Sequence, residues 1–416
     1  MKVLWFEIST PSQYKQAGRV VLGWQDSLEN IVRESKEVDL YIAFESQTDK
    51  EVKVIDGVTY IPMYIEYSFW DRKKSQFTWM VNARKIISKG IEVINEYAPD
   101  IIHVFGNEWP FGLLAKYTQI PLVIHIQGSI IPYNNALYPP KYNEFTFAVA
   151  IGLNLRKQWH FVKSYYKDRS REQMEREIWK LVSHYMGRTN WDKALVGIFH
   201  PHATYHHVEE ALRPIFLKSC KTWRLPSDSK IRLFSTGCSN FWKGVDVMLK
   251  TAHILKQMGV DFEWKVAGKM SYNIREVVEK KENLRFEDNN IEILGFTNPD
   301  DLVDYLSKST LYVHTAYIEN SPNSICEAQI IGIPIISTMV GGISSLIHND
   351  QDGILLPAND PWQFADAIVN LSKDRNKMLE YSNKAYETAI KRHNPVRILN
   401  ELLKCYHDVI NRRGGK

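Results

Sequence analysis

The sequence predicts an α/β protein built from two doubly wound, Rossmann-like parallel sheets. Short apolar runs such as KVLWFEI (2–8) alternate with amphipathic helical patterns, which is typical of parallel strands covered on both faces. The alternation weakens after residue 140 and restarts at IRLFSTG (231–237). These two stretches indicate two domains, and a chain of 416 residues is long enough for each to bury a core.

The first half opens with a buried strand and continues as strands separated by helices. β-branched and aromatic residues dominate the strands, whereas the helices repeat apolar residues at helical spacing. The predicted strands are residues 2–8, 38–44, 100–105 and 121–126, and the predicted helices are residues 24–32 and 75–97.

The second half repeats this order after a predicted linker at residues 214–230. Its predicted strands are residues 231–237, 261–268, 291–296, 310–315, 333–338 and 353–357, and its helices are residues 243–258, 300–306, 321–331 and most of 360–413. Doubly wound sheets bind ligands at the carboxyl ends of their strands. We therefore expect a site in the cleft between the two domains.

The predicted domains are residues 1–222 and 223–393, and a last helix at 394–416 is expected to cross back to the first domain. Pro395 suits the start of this helix. An apolar stripe follows at helical spacing and needs a partner surface, which the first domain offers best. The stripe consists of Leu399, Leu402, Leu403, Tyr406, Val409 and Ile410.

Composition narrows the class of protein. The net charge of +4 lacks the dense basic stripe of a nucleic-acid-binding protein, so no nucleic acid is expected as a partner. The four cysteines form no CxxC pair, which favours a reducing compartment without structural zinc. MKVLWFEIST lacks the apolar stretch of a signal peptide, and no apolar run approaches the ~20 residues of a membrane span. We expect a cytoplasmic protein.

Residues 141–190 are helical, aromatic and basic. Between Arg156 and Lys180 there are eight Lys and Arg against four Asp and Glu. One interpretation is a solvated helical excursion. The other is a surface for an anionic or lipid-linked acceptor, which would place the protein peripherally on the inner face of a membrane.

The segment YIENSPNSICEAQIIGIPIISTMVGGISSLI (317–347) carries the chemistry. Ser321 suits an N-cap, Pro322 the first helical position and Gly332 the C-terminal cap, so a helix begins just after a strand. The free amides of its first turn form an anion site. Glu319 precedes this helix and Glu327 lies on it, and carboxylates suit sugar diols. Phosphate and diol recognition together indicate a nucleotide sugar.

This segment resembles the retaining glycosyltransferases of family 4, which have the GT-B fold and include bacterial capsule, exopolysaccharide and lipopolysaccharide enzymes. Their EGxPNxxxEAxAxGxPVxxxxxGGxxE pattern falls here on Glu319, Pro322, Asn323, Glu327, Ala328, Gly332, Pro334, Gly341 and Gly342. The resemblance implies that Glu327 holds the donor ribose and that Glu319 contacts the transferred sugar. It also implies that the helix start, from Ser321 through Ser324, receives the diphosphate.

A second stretch, STGCSNFWKGVDVMLKTA (235–252), resembles the strand-turn-helix that carries the family's lysine. The resemblance gives Lys243 the leaving diphosphate, so Lys243 and Glu319 are the expected catalytic residues. Other expected donor contacts are Gly23, Gly268 and Phe296. Cys238 stands where the family has arginine and Ser345 where it has glutamate, and the glycine-rich loop near Gly23 keeps one glycine of two.

Acceptor contacts are expected from the first domain. Gln127 stands where the family commonly has a histidine, and the candidates with it are His103 and Arg188. Structural ion pairing is the competing interpretation for His103 and Arg188. No metal is expected, because the histidines of HPHATYHH (200–207) lack a completing carboxylate or cysteine and NDQDG (349–353) matches an ordinary turn.

The sequence thus predicts a retaining hexosyltransferase that moves a sugar from a nucleotide sugar, such as a UDP- or GDP-sugar, to a glycan, lipid-linked or polysaccharide acceptor. It would need no cofactor. Two alternatives stay open: a subunit that binds nucleotide sugars without turnover, and a nucleotide-sugar epimerase on the same fold. Incubation with the donor alone separates the epimerase, which would release free sugar.

Overall fold

A computed structural model describes residues 1–15, 23–152 and 155–412. The strands are β1 (Lys2–Glu7), β2 (Asp39–Ser46), β3 (Lys53–Ile55), β4 (Val58–Tyr64), β5 (Ile101–Phe105), β6 (Leu122–His125), β7 (His184–Gly187), β8 (Thr204–His207), β9 (Ile231–Thr236), β10 (Phe262–Ala267), β11 (Ile291–Gly295), β12 (Leu311–His314), β13 (Ile335–Thr338) and β14 (Ile354–Leu356). The helices are α1 (Ser12–Lys15), α2 (Trp24–Ser35), α3 (Phe69–Lys74), α4 (Met80–Tyr97), α5 (Ile130–Asn135), α6 (Glu144–Ile151), α7 (Leu155–Leu181), α8 (Asn190–Phe199), α9 (Pro214–Lys218), α10 (Val245–Gln257), α11 (Tyr272–Glu282), α12 (Pro299–Lys308), α13 (Asn323–Ile331), α14 (Pro361–Lys373), α15 (Arg375–Arg392) and α16 (Pro395–Asn411).

The chain divides into two compact units. The first contains residues 1–132, 159–211 and 393–416, and the second contains residues 133–158 and 212–392. Residues 133–158 and 212–222 belong to the second unit and not, as the sequence predicts, to the first domain. Within the second unit, Lys280 Nζ donates to the carbonyl of Ala150 at 2.8 Å and Tyr142 Oη donates to Glu282 at 2.6 Å. These contacts fix the first part of the helical excursion on α11.

The first unit is built on an eight-stranded sheet in the order β3-β4-β2-β1-β5-β6-β7-β8. All neighbouring pairs are parallel except β3 and β4, which form an antiparallel hairpin at one edge. β1 lies in the interior of the sheet, and its apolar residues from Val3 to Phe6 are fully buried. A continuous apolar run is what a strand covered on both faces requires.

Helix α16 packs on this first sheet. Its buried residues include Leu402, Leu403, Tyr406 and Val409, and they share a core with β1. The indole nitrogen of Trp5 donates to Tyr406 Oη at 2.9 Å, and the same oxygen lies 2.7 Å from His103 Nδ1. A buried hydroxyl thus joins the last helix to two strands.

The second unit is built on a six-stranded parallel sheet in the order β11-β10-β9-β12-β13-β14. The chain runs from β9 outward through β10 to β11, and then returns to the other side of β9 with β12. The strand order therefore reverses between β9 and β12, and such a switch point leaves a crevice at the carboxyl ends of the two strands.

Most predicted strands match the structure within two residues, and the α/β fold class is confirmed. The hairpin β3–β4 was missed, although Asp56 and Gly57 both have positive φ, as a tight hairpin turn requires. The predicted linker contains α9, and the backbone nitrogens of Lys221 and Trp223 donate to the carbonyls of Ile330 and Ile331.

Among the described residues, no helix is long and apolar enough to span a bilayer.

We predict that Tyr406→Phe destabilises the first unit by about 1–3 kcal/mol, because it removes the buried hydroxyl that partners Trp5 and His103. Urea unfolding followed by tryptophan fluorescence measures this change. Tyr165→Phe, at a half-exposed tyrosine on α7, is the matched control and should leave the unfolding midpoint unchanged. Equal midpoints for both variants would contradict the assigned role of the hydroxyl.

Candidate active site

The predicted catalytic residues meet at the switch point of the second sheet. Lys243 ends a short 3₁₀ turn, Phe241–Lys243, that follows β9, and Glu319 lies in the loop between β12 and α13. Their side chains form an ion pair in which Glu319 is buried and Lys243 is about one-quarter exposed. The pair therefore has one buried end and one end that faces solvent.

Two glycines allow the backbone to bring this pair together. Gly244 has φ +70, and a Cβ there would lie 1.9 Å from the carbonyl oxygen of Thr315. Gly341 has φ +52, and a Cβ there would lie 1.9 Å from the carbonyl oxygen of Glu319. Because a Cβ at either position would collide with a backbone oxygen, both positions require glycine. The hydroxyl of Thr315 also donates to the carbonyls of Lys243 and Gly244, at 3.1 and 2.9 Å.

Glu319 is held ionised. Burial by itself raises the pKa of this carboxyl, but the charge of Lys243 and the neighbouring His314 imidazole outweigh burial and lower the pKa to about 2. His314 Nε2 lies 3.8 Å from Glu319 Oε1, and its Nδ1 is hydrogen-bonded to Ser337 Oγ at 3.0 Å. Glu319 is thus a fixed anion and a hydrogen-bond acceptor, and it is unsuited to donate a proton near neutral pH.

Helix α13 begins one residue later than predicted. The sequence predicts Ser321 as the N-cap, but the N-cap is Pro322, whose carbonyl accepts from the backbone nitrogen of Ile325 at 2.9 Å. Gly332 takes the left-handed C-cap position with φ +87, as expected. The first-turn amides of Asn323 and Ser324 are those that a helix's own ladder leaves for other partners, and the helix dipole makes this end attractive to anions.

Glu327 lies in the second turn of α13 and is bound by an arginine. Arg213 Nε and Nη2 donate to the two carboxylate oxygens of Glu327, each at 2.8 Å. Both side chains are largely buried, with 14% of Arg213 and 7% of Glu327 exposed. The guanidinium also lies 4.6 Å from the ring centre of Phe216 on α9.

Two glycines line the wall of the site beside Lys243. A Cβ at Gly268 would lie 3.3 Å from the backbone nitrogen of Gly237, so the turns after β9 and β10 are in close contact. Cys238 Sγ donates to the carbonyl of Gly268 at 3.2 Å, and burial raises the pKa of this thiol to about 11. The thiol is therefore neutral and supplies no positive charge at the position where the resemblance implies arginine. Phe296, just after β11, is 75% exposed and is not part of the core.

Residues 221–388 match the family model described as glycosyl transferases group 1. We call residues 221–388 the group 1 domain; it contains Lys243, Glu319, Glu327 and helix α13, whereas Arg213 precedes it.

The chain is also similar to curated bacterial proteins. It is 27% identical over 139 residues to a putative colanic acid biosynthesis glycosyltransferase, WcaL, of Escherichia coli, which covers 32% of this chain and 33% of WcaL. It is 24% identical over 187 residues to the amylovoran biosynthesis glycosyltransferase AmsK of Erwinia amylovora, 42% and 44% of the two chains. A D-inositol 3-phosphate glycosyltransferase of Streptomyces bingchenggensis is 28% identical over 216 residues, 50% and 46% of the two chains. The matched regions thus span a third to a half of these relatives.

Solved structures share the fold over nearly the whole chain. A sucrose-phosphate synthase from Thermosynechococcus elongatus superposes with a TM-score of 0.71 at 13% identity and covers 99% of both chains. WaaG, a glycosyltransferase involved in lipopolysaccharide biosynthesis, gives a TM-score of 0.62 at 14% identity, with 95% and 98% of the chains covered. The predicted GT-B fold is confirmed.

Two of the predicted contacts, Gly23 for the donor and Gln127 for the acceptor, lie outside the group 1 domain. Gly23 is the N-cap of α2, where its backbone nitrogen donates to Asp26 at 2.9 Å. Residues 21 and 22 of the predicted glycine-rich loop (21–31) lie outside the described residues. Gln127 follows β6 and is half-buried.

Two predicted acceptor contacts are structural instead. His103 is fully buried in β5, where it bonds to Tyr406, and burial lowers the pKa of its imidazole to about 3. Arg188 is buried, with Nε 3.6 Å from Glu210 and Nη2 3.3 Å from the carbonyl of Ile126. Neither side chain is exposed enough to touch an acceptor, so the competing interpretation of structural bonding holds for both.

Sequence reasoning missed Arg213 and His314. Arg213 lies 114 residues before its partner Glu327, and no local pattern marks it. His314 carried a weak signal, because it is the last residue of a strand whose carboxyl end faces the site.

We predict that Glu319→Gln makes the free energy of unfolding less sensitive to acid. The pKa of Glu319 is lowered from its ordinary 4.5 to about 2, so its stabilising contribution is complete above 4.5 and is lost as the pH falls toward 2. Between about pH 6 and about pH 3, the free energy of unfolding measured with urea should fall less for the variant than for the wild type.

The matched control is Glu380→Gln, at an exposed glutamate of α15 in the same unit. The fall in the free energy of unfolding of Glu380→Gln between these pH values should equal that of the wild type, since solvent screens exposed charges. An unchanged drop in Glu319→Gln would contradict the stabilising pairing of Glu319 with Lys243.

Proposed function

We propose that this protein is a retaining glycosyltransferase that uses a nucleotide-sugar donor. The observation that carries the proposal is the Lys243–Glu319 pair at the switch point of the group 1 domain, beside the N-terminus of α13. This arrangement offers a cation, an anion-binding helix end and a diol-binding carboxylate within one crevice.

The donor is proposed to bind to the group 1 domain. Glu327 accepts the ribose hydroxyls, the first-turn amides of α13 and Lys243 contact the diphosphate, and Glu319 accepts a hydroxyl of the transferred sugar. A likeness in fold supports the donor class: HepE of Anabaena, a structural neighbour with a TM-score of 0.65, was solved in complex with UDP-glucose. The base and the sugar are to be determined by a screen of UDP- and GDP-sugars.

The proposed reaction depends on electrostatics and positioning. The acceptor oxygen bonds to the anomeric carbon while the bond from that carbon to the diphosphate oxygen breaks, and the acceptor proton passes to the departing diphosphate. Lys243 and the helix amides stabilise the charge that grows on the diphosphate. Attack from the face that the leaving group vacates retains the configuration of the anomeric carbon. No metal or cofactor takes part in the proposal.

The proposed acceptor is a growing glycan or a lipid-linked saccharide of polysaccharide biosynthesis. The names of the relatives from Escherichia coli and Erwinia amylovora, which refer to colanic acid and amylovoran, support this class. Gln127 stays a candidate acceptor contact, since it is half-buried at the end of β6.

A peripheral membrane position belongs to the same proposal. On α7, Trp159, Tyr165 and Tyr166 are each about half exposed, and Lys163 Nζ lies 5.8 Å from the ring centre of Trp159. Exposed aromatic rings next to lysines suit the interface of an anionic bilayer. Sedimentation with vesicles tests it: binding to anionic vesicles but not to neutral ones is expected, and no binding to either would refute it.

A binding subunit without turnover is the second candidate function. The neutral thiol of Cys238 favours it, because the site lacks the positive charge that an arginine would supply there. The purified protein should be incubated with UDP- and GDP-sugars, with and without lipid-linked saccharides. Release of nucleoside diphosphate with formation of an α-linked product from an α-linked donor supports the transferase. Donor binding without any release supports the binding subunit, and free sugar without an acceptor supports an epimerase.

Glu327→Gln is expected to weaken donor binding more than turnover at saturating donor, since ribose contacts persist from the ground state to the transition state. Loss of a charged acceptor should cost about 1.5–3 kcal/mol, or roughly 10- to 150-fold in the dissociation constant of the nucleotide sugar. Isothermal titration calorimetry measures the dissociation constant of the nucleotide sugar. The control is Glu292→Gln, at an exposed glutamate on β11. Unchanged affinity in Glu327→Gln would remove Glu327 from the donor site.

Lys243→Ala is expected to lower kcat by about 100- to 1,000-fold with a smaller effect on donor affinity, because the negative charge of the diphosphate grows as its bond breaks. Steady-state release of nucleoside diphosphate measures both parameters. Lys308→Ala, at a well-exposed lysine of α12, should behave as the wild type. Full activity in Lys243→Ala would mean that this ammonium does not act on the diphosphate.

A further inference from the structure

The carboxylate of Glu327 is held by a two-pronged arginine contact that sequence reasoning did not anticipate. Arg213 donates from Nε and Nη2 to separate oxygens of Glu327, with both bonds 2.8 Å long. Parallel bonds of this kind are charge-assisted and fix the relative orientation of the two planar groups. The contact lies within the second unit and is largely buried.

Arg213 is itself held in place from two directions. It is the N-cap of α9, and Pro214 favours the polyproline-like backbone conformation observed, with φ −58 and ψ 132. Its guanidinium lies over the ring of Phe216, which is fully buried. Helix α9 packs against α13, the helix that carries Glu327. The arginine is therefore a rigid support and not a mobile surface side chain.

The value of such a support follows from the torsions of glutamate. The last torsion of a glutamate side chain is broad and roughly two-fold, so an unsupported carboxylate samples many orientations. Recognition of a vicinal diol needs both oxygens in one plane at a set angle. A carboxylate offers about four acceptor positions, so an arginine and a diol can share it. Ordering the carboxylate before the ligand arrives lowers the entropic cost of binding.

We propose that Arg213 is a positioning residue for the donor ribose and that it acts through Glu327. This inference rests on the proposed function, in which Glu327 accepts the ribose hydroxyls. Arg213 touches neither the diphosphate nor the sugar in this proposal. Its effect should therefore appear in nucleotide affinity, should depend on the ribose hydroxyls, and should vanish when Glu327 is replaced.

The test compares two variants with the wild type. Arg213→Lys keeps the charge but cannot make two parallel bonds, and Arg213→Gln removes the charge as well. Calorimetry is run with UDP and GDP, and with the 2′,3′-dideoxy form of whichever nucleotide binds. Both variants should bind the natural nucleotide about tenfold or more weakly and bind the dideoxy form within about twofold of the wild type. At saturating donor, kcat should change by less than about threefold.

A double variant and a matched control complete the design. Arg213→Gln in the Glu327→Gln background should cause no further loss of affinity, as coupled residues require. Arg232→Gln is the control, because Arg232 also makes a two-pronged contact, from Nη1 and Nη2 to Asp228 at 2.7 and 2.8 Å, on the surface of the same unit. Its nucleotide affinity should equal that of the wild type.

The outcomes separate this inference from the proposed function. If the variants lose affinity equally for the natural and the dideoxy nucleotide, Arg213 has a merely structural role. If the variants bind the natural nucleotide more tightly than the wild type does, Arg213 competes with the ribose. Either result overturns the inference, as does full affinity in both variants, while the wild-type binding of UDP or GDP still supports the proposed function. A wild type that binds neither nucleotide overturns both.

Discussion

The ion pair between Lys243 and Glu319 is the constraint that shapes the rest of the candidate site. A carboxylate buried this deeply is costly unless a cation and hydrogen bonds compensate it. Lys243 supplies the cation, and it can reach Glu319 only because Gly244 turns the backbone through a left-handed conformation against Thr315. Gly341 then lets the following loop close on the Glu319 carbonyl. Three separate loops are thus tied to one charge pair.

Glu327, the second glutamate of residues 317–347, is also paired with a cation. Glu327 is matched by Arg213, so each of the two carboxylates beside α13 has its own positive partner. Without such partners, two carboxylates would repel a diphosphate that approached the helix N-terminus. With them, the two carboxylate charges are balanced locally, and the N-terminal end of α13 keeps its attraction for anions. In the proposed donor site, this local charge matching would let diol recognition and diphosphate binding coexist within one crevice.

The features that the sequence could predict are those with local causes. Runs such as IRLFST and LVIH identify strands because burial on both faces demands continuous apolar residues, and the spacing of Glu319, Pro322 and Glu327 marks a helix end with two carboxylates. The hairpin β3–β4 had a local signal in Asp56–Gly57 that was not used. Arg213 had no local signal, because its partner lies 114 residues away and only the packing of α9 on α13 brings them together.

His103 shows why a polar residue on a strand cannot be assigned to a site by sequence position alone. A histidine in a parallel strand can face a crevice or a covering helix, and the strand itself looks the same in both cases. Here α16 returns from 303 residues later in the chain and places the Tyr406 hydroxyl against the imidazole, which removes His103 from solvent. Arg188 is decided in the same way by Glu210 and the Ile126 carbonyl. Long-range burial, which no local pattern encodes, is what separates core histidines and arginines from those that meet a ligand.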